Sequence, residues 1–411
     1  MASQQPSPSS SPPPPSPPAP TTIADIGDDL LREIFLRLPS LPSLVRAALS
    51  CRSFLHAVRA SPSFRRRFRA LHAPPLLGFF FDPDGPAIPA FAPLRRRADP
   101  DLAAAVRGAD FFLTRLPADA DAAPGWEIRD CRGGRVLLVN WSLEQLAAYD
   151  PLTRALHLLP PPPDHIADDC LGYFTYLDYH LLSDDELPGA FRVVCSSHDR
   201  SRARAAVLPS DAREWQIFPW AEATTPQPGD DKYWLHIGNF AGAAVYWTHT
   251  SQAYMLTLDT TTMQFSRIHL PPYLRGQGHT LGAGDTKDGK LCIVCALEFT
   301  LIAWFYDDAA ETWMLAETFP LQTKLVDVTE GSLEDHGQLK VVGIIDGIVY
   351  LSTYETFNDA DVPCWFLSFC LETGELQRLF QRRFDGHVHP YVMAWPPSLV
   401  GNTANPQLEG A

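Results

Sequence analysis

The sequence predicts a multi-domain chain: a small all-α unit of three helices, followed by an all-β propeller of about six blades. Three observations predict it. Apolar residues recur at helical spacing between Ile26 and Phe54. From Leu76 onward that spacing largely disappears, and short apolar and aromatic runs alternate with Gly, Pro, Asp and Thr turns. Within this second region a strand–turn–strand pattern returns at a period of about 50 residues, a length that suits one propeller blade.

The helical unit carries more apolar side chains than so small a body can bury, which calls for a partner. Asp28 and Asp29 suit a helix start, where carboxylates meet free N–H groups and the positive end of the dipole. Leu30, Leu31, Ile34, Phe35 and Leu38 then share a face, with Arg32, Glu33 and Arg37 opposite, and Pro39 stops the helix. A second helix fits Leu41 to Ala48. A third begins near Ser50 and carries Cys51, Phe54, Leu55 and Val58 inward. An ordinary helical cap on a larger domain explains the same pattern. As an adaptor motif it needs no catalytic chemistry, since each leftover Leu, Ile or Phe buried on a partner contributes roughly 1.5–3 kcal/mol.

At these residues the chain resembles the F-box family. Its pattern stands here as Ile26-Gly27-Asp28-Asp29-Leu30-Leu31-Arg32-Glu33-Ile34-Phe35-Leu36-Arg37-Leu38-Pro39, then Leu44-Val45, then Ser50-Cys51-Arg52-Ser53-Phe54. Gly27 replaces the family's usual Pro and Ser50 its usual apolar residue. The resemblance implies that Ile26, Leu30, Leu31, Ile34, Phe35, Leu38, Pro39, Leu44, Val45, Cys51 and Phe54 bind a Skp-family adaptor, and through it a cullin and a RING protein.

Composition sets further bounds. At 411 residues and 45% hydrophobic content the chain can bury a large core. No apolar run is long enough to span a membrane, and the N-terminus lacks the order of a signal peptide. A soluble, unsecreted protein of the cytoplasm, the nucleus or both is expected, without membrane association. The formal net charge of -15 opposes general nucleic-acid binding. Eight cysteines, among them Cys51, Cys131, Cys170 and Cys370, are scattered without framework spacing and read as reduced core residues. Residues 1–21 are a Pro/Ser-rich tail, disordered or polyproline-like. Its Ser7-Pro8, Ser11-Pro12 and Ser16-Pro17 pairs suit a proline-directed kinase, although a plain solvated tail explains them as well. A transit peptide is disfavoured because the first arginine is Arg32.

The expected division is a tail over 1–21, an F-box over 22–60, a helical linker over 61–75, a propeller over 76–400 and a flexible tail over 401–411. In the linker, Phe64, Phe68 and Leu71 share one face, and the arginines of Ser63-Phe64-Arg65-Arg66-Arg67-Phe68-Arg69 lie outside as a solvated basic face. Strands are expected at Gly78–Phe81, Arg135–Val139, Phe191–Cys195, Ala243–Trp247, Leu291–Leu297, Leu301–Phe305, Val341–Ile345 and Ile348–Leu351. The repeated turn is Tyr149-Asp150-Pro151-Leu152-Thr153, Leu258-Asp259-Thr260-Thr261-Thr262, Tyr306-Asp307-Asp308 and Leu371-Glu372-Thr373-Gly374, with a weaker copy at Leu208-Pro209-Ser210-Asp211. Gly-containing turns precede several copies: Gly133-Gly134, Gly242, Asp288-Gly289 and Asp346-Gly347. These turns, with Gly133-Gly134-Arg135-Val136-Leu137-Leu138, Ala244-Val245-Tyr246-Trp247 and Asp346-Gly347-Ile348-Val349-Tyr350-Leu351, make this half similar to the kelch-like F-box-associated propellers of plants, the grass type above all.

Enzymatic readings find little footing. His387-Val388-His389 places two imidazoles on one strand face, with no third ligand evident. Cys292 and Cys295 form a C-x-x-C whose offset of three puts the thiols on opposite faces of a strand. No phosphate loop, nucleophile elbow or H-E-x-x-H helix is present, and no cofactor or metal is expected. Trp126, Trp247, Trp304 and Trp313 suit a blade core or a binding rim.

The resemblance therefore implies a non-catalytic substrate receptor of a Skp-cullin-F-box ubiquitin ligase, its propeller holding a protein target. The alternatives are an F-box/propeller scaffold acting without a cullin, and a propeller enzyme acting on a small molecule or sugar. The sequence does not name the target. Loops 164–169, 222–231 and 355–361 are candidate contacts by expected exposure.

Overall fold

The computed structural model describes residues 26–83, 89–94, 100–117, 125–183, 190–223, 235, 238–274, 281–331, 333, 336–354, 364–382 and 386–400. The expected tails and their Ser-Pro pairs lie outside these residues.

Four helices come first: α1 (Asp28–Phe35), α2 (Leu41–Ala48), α3 (Arg52–Arg59) and α4 (Pro62–Leu71). Local chemistry sets their starts. Ser61 Oγ accepts the Phe64 N–H at 3.2 Å, and Pro62 at the first position has no N–H to leave orphaned. Gly27 precedes α1 with φ −63° and ψ 152°, an extended conformation that proline also adopts. Arg32 pairs with Asp29 at 2.9 Å and donates Nε–H to the Ala57 carbonyl at 2.9 Å, which ties α1 to α3.

The strands make six antiparallel sheets. β1 (Leu76–Pro83) and β2 (Ala90–Pro93) open the series, and α5 (Pro100–Gly108) follows. Four-stranded blades are then built by β3 (Trp126–Arg132), β4 (Arg135–Asn140), β5 (Gln145–Asp150) and β6 (Ala155–Leu159); and by β7 (Thr175–Ser183), β8 (Phe191–His198) and β9 (Arg202–Pro209), with the outer place divided between β10 (Gln216–Ile217) and β11 (Ala221–Glu222). The third holds β12 (Asn239–Ala241), β13 (Ala244–Thr248), β14 (Tyr254–Asp259) and β15 (Gln264–His269). The fourth holds β16 (Leu281–Asp285), β17 (Leu291–Leu297), β18 (Thr300–Asp307) and β19 (Thr312–Pro320). After α6 (Gln322–Thr329), the fifth holds β20 (Gln338–Ile345), β21 (Ile348–Tyr354), β22 (Cys364–Cys370) and β23 (Leu376–Arg382). The sixth is assembled from both ends of the chain, in the order β2-β1-β24, with β24 (Gly386–Val392) innermost. The ring is a six-bladed propeller. Seven of the eight expected strand segments fall within strands, and the other, Ala243–Trp247, begins one residue early, in the turn before β13. The helices α5 and α6 depart from the all-β expectation for residues 76–400; α5 rests on Leu102-Ala103-Ala104-Ala105, good helix formers that outweigh the surrounding strand pattern.

Each seam between neighbouring blades holds its own apolar core. The seam between the sixth and first blades continues without a break into the helical unit, so Phe80, Trp126, Tyr149, Tyr391 and Trp395 share one core with Leu31, Phe35, Leu44, Phe64 and Phe68. Further ties are the Arg59 Nε–H donated to the Ser398 carbonyl at 2.9 Å and the Arg46–Asp101 ion pair at 2.9 Å.

The repeated turns share one geometry. Asp150, Asp259 and Asp307 each accept two backbone N–H groups through Oδ1, from the residues two and three further on, at 2.7–3.2 Å. A positive φ follows at Arg154 (60°), Met263 (57°) and Glu311 (49°), and Gly374 (66°) holds that place in the fourth copy. The aspartate supplies the acceptor that makes this turn, which is why it repeats in the sequence.

Carboxylates at the seams also stitch blade to blade. Asp82 Oδ2 accepts the Ile128 N–H at 2.9 Å, Asp130 Oδ2 that of Leu181 at 2.8 Å, Asp178 Oδ2 that of Gly238 at 3.1 Å, and Asp285 Oδ1 that of Asp346 at 3.1 Å. Burial pushes the Asp130 carboxyl up, and that of Asp178 up to about 7.

Two outcomes are expected. Asp178 binds its proton to about pH 7 when folded, against 3.8 for the ordinary group, so its contribution to stability is intact below the lower value and declines as pH rises through the higher one. In Asp178→Asn, which keeps an acceptor for Gly238, that decline is absent. Urea unfolding at about pH 5 and about pH 8 should show the variant gaining roughly 2 kcal/mol on the wild type across the interval. Gly27→Pro, at a position with nothing within 4 Å of an added Cβ and a φ already suited to proline, should stabilise the chain by about 0.4–1 kcal/mol in thermal unfolding.

Candidate functional site

The sequence-predicted docking residues divide into three groups. Leu31, Phe35 and Leu44 are buried in the shared core, at 2%, 3% and 0% exposure, where they hold the helical unit together and against the ring. Ile26, Leu38, Val45 and Phe54 are half-buried on the margin of that core, with Phe54 edge-on to Phe35 at 5.4 Å between ring centroids. Leu30, Ile34, Pro39 and Cys51 are exposed. Cys51 thus departs from its expected place inside the third helix, and its thiol is hydrogen-bonded with Ser53 at 3.2 Å. Leu71, expected on the inner face of α4, is also exposed.

The apolar stripe of α1 is therefore two-sided. Leu30 (58% exposed) and Ile34 (40% exposed) lie one turn apart and face away from the core, with Asp29 and Glu33 beside them. Glu33 is held by Arg67 of α4. Leu49, at the C-terminal cap of α2, is exposed as well; an apolar residue directly after Ala48 is the sequence signal that points to it.

The inner-strand ends Arg132, Ser183, Asp285 and Ile345 share one cavity with Arg66 and Arg69 of α4, so these strands run toward the helical unit and begin at the open end of the ring. Arg65 of the same α4 run, expected to lie outside, is buried at 3% exposure and donates to the carbonyls of Val58 and Arg59. Along the channel wall stand Arg129, Asp130, Asp178, His180, Lys340 and His389, around a volume of about 370 Å³. His180 lies 3.5 Å from Asp178 and 3.9 Å from Asp130. Burial pushes both His180 and His389 down to about 3, so the imidazoles are neutral at ordinary pH. Among the described residues no group of three His, Cys, Asp or Glu is placed to hold a metal. On β24, His387 is exposed and His389 half-buried. Cys292 and Cys295 face different seams, as strand alternation requires.

At the open end, an aromatic strip crosses from the first blade to the second. Trp141 lies 6.1 Å from Tyr176, Tyr176 5.0 Å from Phe174, and Phe174 6.5 Å from Trp220. Arg129 stacks over Trp141 at 5.7 Å, and Arg202 and Arg204 over Trp220 at 5.0 and 4.5 Å. Sequence reasoning missed this strip, because its members come from three separate loops and strand ends. Trp126, Trp247 and Trp304 are buried between blades, and Trp313 is half-buried with its N–H given to the His269 carbonyl at 2.8 Å. Of the candidate loops, 164–169 forms a 3-10 turn with Asp164, His165, Asp168 and Asp169 exposed. Most of 222–231 and all of 355–361 lie outside the described residues.

Among curated proteins none matches the chain. Solved structures match the chain only at low identity and low TM-score. A Lactobacillus plantarum protein is 11% identical, with 75% of this chain and 82% of that one covered and a TM-score of 0.36. An oligogalacturonate lyase in complex with manganese is 10% identical, with 64% and 66% covered and a TM-score of 0.37. Hydrazine synthase of Kuenenia stuttgartiensis is 10% identical, with 65% and 72% covered and a TM-score of 0.35. The family model for "F-box protein AT5G49610-like, beta-propeller" matches residues 127–399, from β3 of the first blade to the turn that seats the chain against α3. That match spans more than half of the chain, and the protein belongs to this family of F-box-protein β-propellers.

Proposed function

We propose that the helical unit is an F-box and that the chain is the substrate-recognition subunit of a Skp-cullin-F-box ubiquitin ligase of a plant. One observation carries this reading. After α1 has given Leu31 and Phe35 to the chain's own core, Leu30 and Ile34 remain side by side on its outer face, in an element that the ring already holds rigid. A docking surface needs that combination of exposed apolar anchors on a fixed backbone. Covering the pair on a Skp-family adaptor contributes about 1.5–3 kcal/mol for each side chain.

The open end of the ring, with its channel mouth and aromatic strip, faces away from the helical unit and holds the protein target. The ligase then acts by proximity: target and ubiquitin-loaded enzyme are tethered to one rigid body, which raises their effective concentration. The chain contributes binding and orientation, and no catalytic residue of its own. Eight cysteines, none of them in a disulfide, support a reducing compartment, the cytoplasm or the nucleus.

The test is co-purification with adaptor and cullin. The double variant Leu30→Asp/Ile34→Asp should lose capture of both while its melting temperature stays within a few degrees of wild type, because exposed substitutions change stability by about 0.5 kcal/mol or less. Leu44→Asp, which puts a carboxylate at a fully buried site, should lose more than about 4 kcal/mol and fail to accumulate. Capture of adaptor without cullin by wild type would replace the ligase reading with a scaffold. Undiminished capture by the double variant would overturn the docking face.

A further inference from the structure

The aromatic strip at the open end has a charged flank whose sign is opposite to that of the arginines stacked on it. Trp141 comes from the turn between β4 and β5, Phe174 and Tyr176 from the entry to β7, and Trp220 from the break between β10 and β11. Trp141 is 47% exposed and the other three are half-buried, a ledge long enough for roughly five residues of extended chain.

Beside this ledge runs the 164–169 loop, whose backbone turns inward. The Asp168 carbonyl accepts the Trp220 indole N–H at 2.8 Å and Arg204 at 3.2 Å, the Ile166 carbonyl accepts Arg204 at 2.9 Å, and the Asp169 carbonyl accepts Arg202. Ile166 is fully buried in a core that Phe174 and Tyr176 flank. With its main chain held this way, the loop leaves Asp164, Asp168 and Asp169 exposed, and their carboxylates form no ion pair among the described residues. Burial, then the neighbouring Cys195 and Asp164, push the Tyr176 hydroxyl up to about 12, which places Asp164 against the strip. At the other end Glu144 is exposed in the same turn as Trp141.

The arginines would suit an acidic partner if their charge were free. Arg202 pairs with the buried carboxylate of Asp199 at 2.6 Å, Arg129 pairs with Glu127, and Arg204, 8% exposed, gives its N–H groups to the two carbonyls above. Arg200, in the turn between β8 and β9, is exposed, but it stands against Asp164, Asp168, Asp169 and Glu144. The charge turned to solvent along the ledge is therefore mainly negative, on a chain whose formal net charge is already -15.

We propose that the open end takes a basic segment of the protein target, an extended stretch whose lysine or arginine stems lie on the rings of Trp141, Tyr176 and Phe174 while their charged heads meet Asp164, Asp168, Asp169 and Glu144. Such side chains offer an apolar stem and a charged head that separate surfaces can recognise, and ring faces attract cations as well. The inference rests on the reading that the open end is the face that holds the target.

The experiment titrates the full chain with three fluorescein-labelled peptides of one length, spaced with glycine and serine, that carry lysine and arginine, glutamine, or glutamate at the same positions. The basic peptide should bind saturably, roughly tenfold more tightly than the glutamine peptide, and lose affinity as salt rises. Trp141→Ala and the double variant Asp168→Asn/Asp169→Asn should each weaken it by roughly threefold or more, and Trp141→Phe should keep most of the affinity. Asparagine tolerates the φ of 60° at Asp169, so the double variant removes charge without straining the loop, and all three variants should melt within a few degrees of wild type. Basic-peptide binding that neither Trp141→Ala nor the double variant changes would be mere attraction to an acidic chain and would overturn the inference, as would the absence of saturable binding. Tighter binding of the glutamine or glutamate peptide, lost in Trp141→Ala, would overturn the basic occupant and leave the open end as the target face.

Discussion

The pairing of β1 with β24 is the interaction on which the rest depends. Leu76 to Pro83 lies antiparallel to Val392 to Gly386, and this one ladder joins the first strand of the ring to its last. It closes the circle of blades, so that each face of every blade finds a neighbour. It also sets Phe79, Phe80 and Phe81 between the sheets, with Phe80 edge-on to Tyr391 at 5.7 Å and Phe79 edge-on to Phe380 at 5.5 Å. Tyr391 in turn gives its hydroxyl to the Gly134 carbonyl of the first blade at 2.7 Å. Closure, core and blade orientation therefore meet in one strand pair.

The same pair decides what the helices show to solvent. α4 runs directly into β1, and the segment after β24 returns beneath α3 and α4, where Trp395 meets Phe68 at 5.9 Å. The helical unit is thus held on the ring from two directions, and its surplus of apolar side chains is largely absorbed there. What is left outside is small and specific. Leu30 and Ile34 are exposed because Leu31 and Phe35, their neighbours in sequence, are the ones that face inward.

Much of this was legible in the sequence where one residue type makes one structure. The aspartates of the repeated turns could be read because their carboxylates form the turn themselves, and the paired glycines at Gly133-Gly134 because both positions have positive φ. The blade number followed from their spacing. Other features were hidden for equally physical reasons. That Leu30 faces out and Leu31 in depends on which flank of α1 packs against α3, a tertiary choice fixed by contacts such as Arg32 to the Ala57 carbonyl. The cross-blade carboxylates Asp82, Asp130 and Asp178 look like turn or surface aspartates in sequence; only the assembled seams give each an N–H to accept. Arg65 and Arg69 are two of four arginines in one run, and only the third dimension separates a buried cap from a cavity wall.

A ring that closes with its own first strand also imposes an order in time. The ribosome delivers the helices and β1 well before β24, an interval on the order of tens of seconds at ordinary elongation rates. Throughout it, the core around Phe68 and Phe80 lacks Tyr391, Met393, Trp395 and Leu399. The nascent helical unit emerges with its inner face uncovered and waits for β24 and the segment after it. The stretch that looks in sequence like a portable module is, in the folded protein, the last part to be finished.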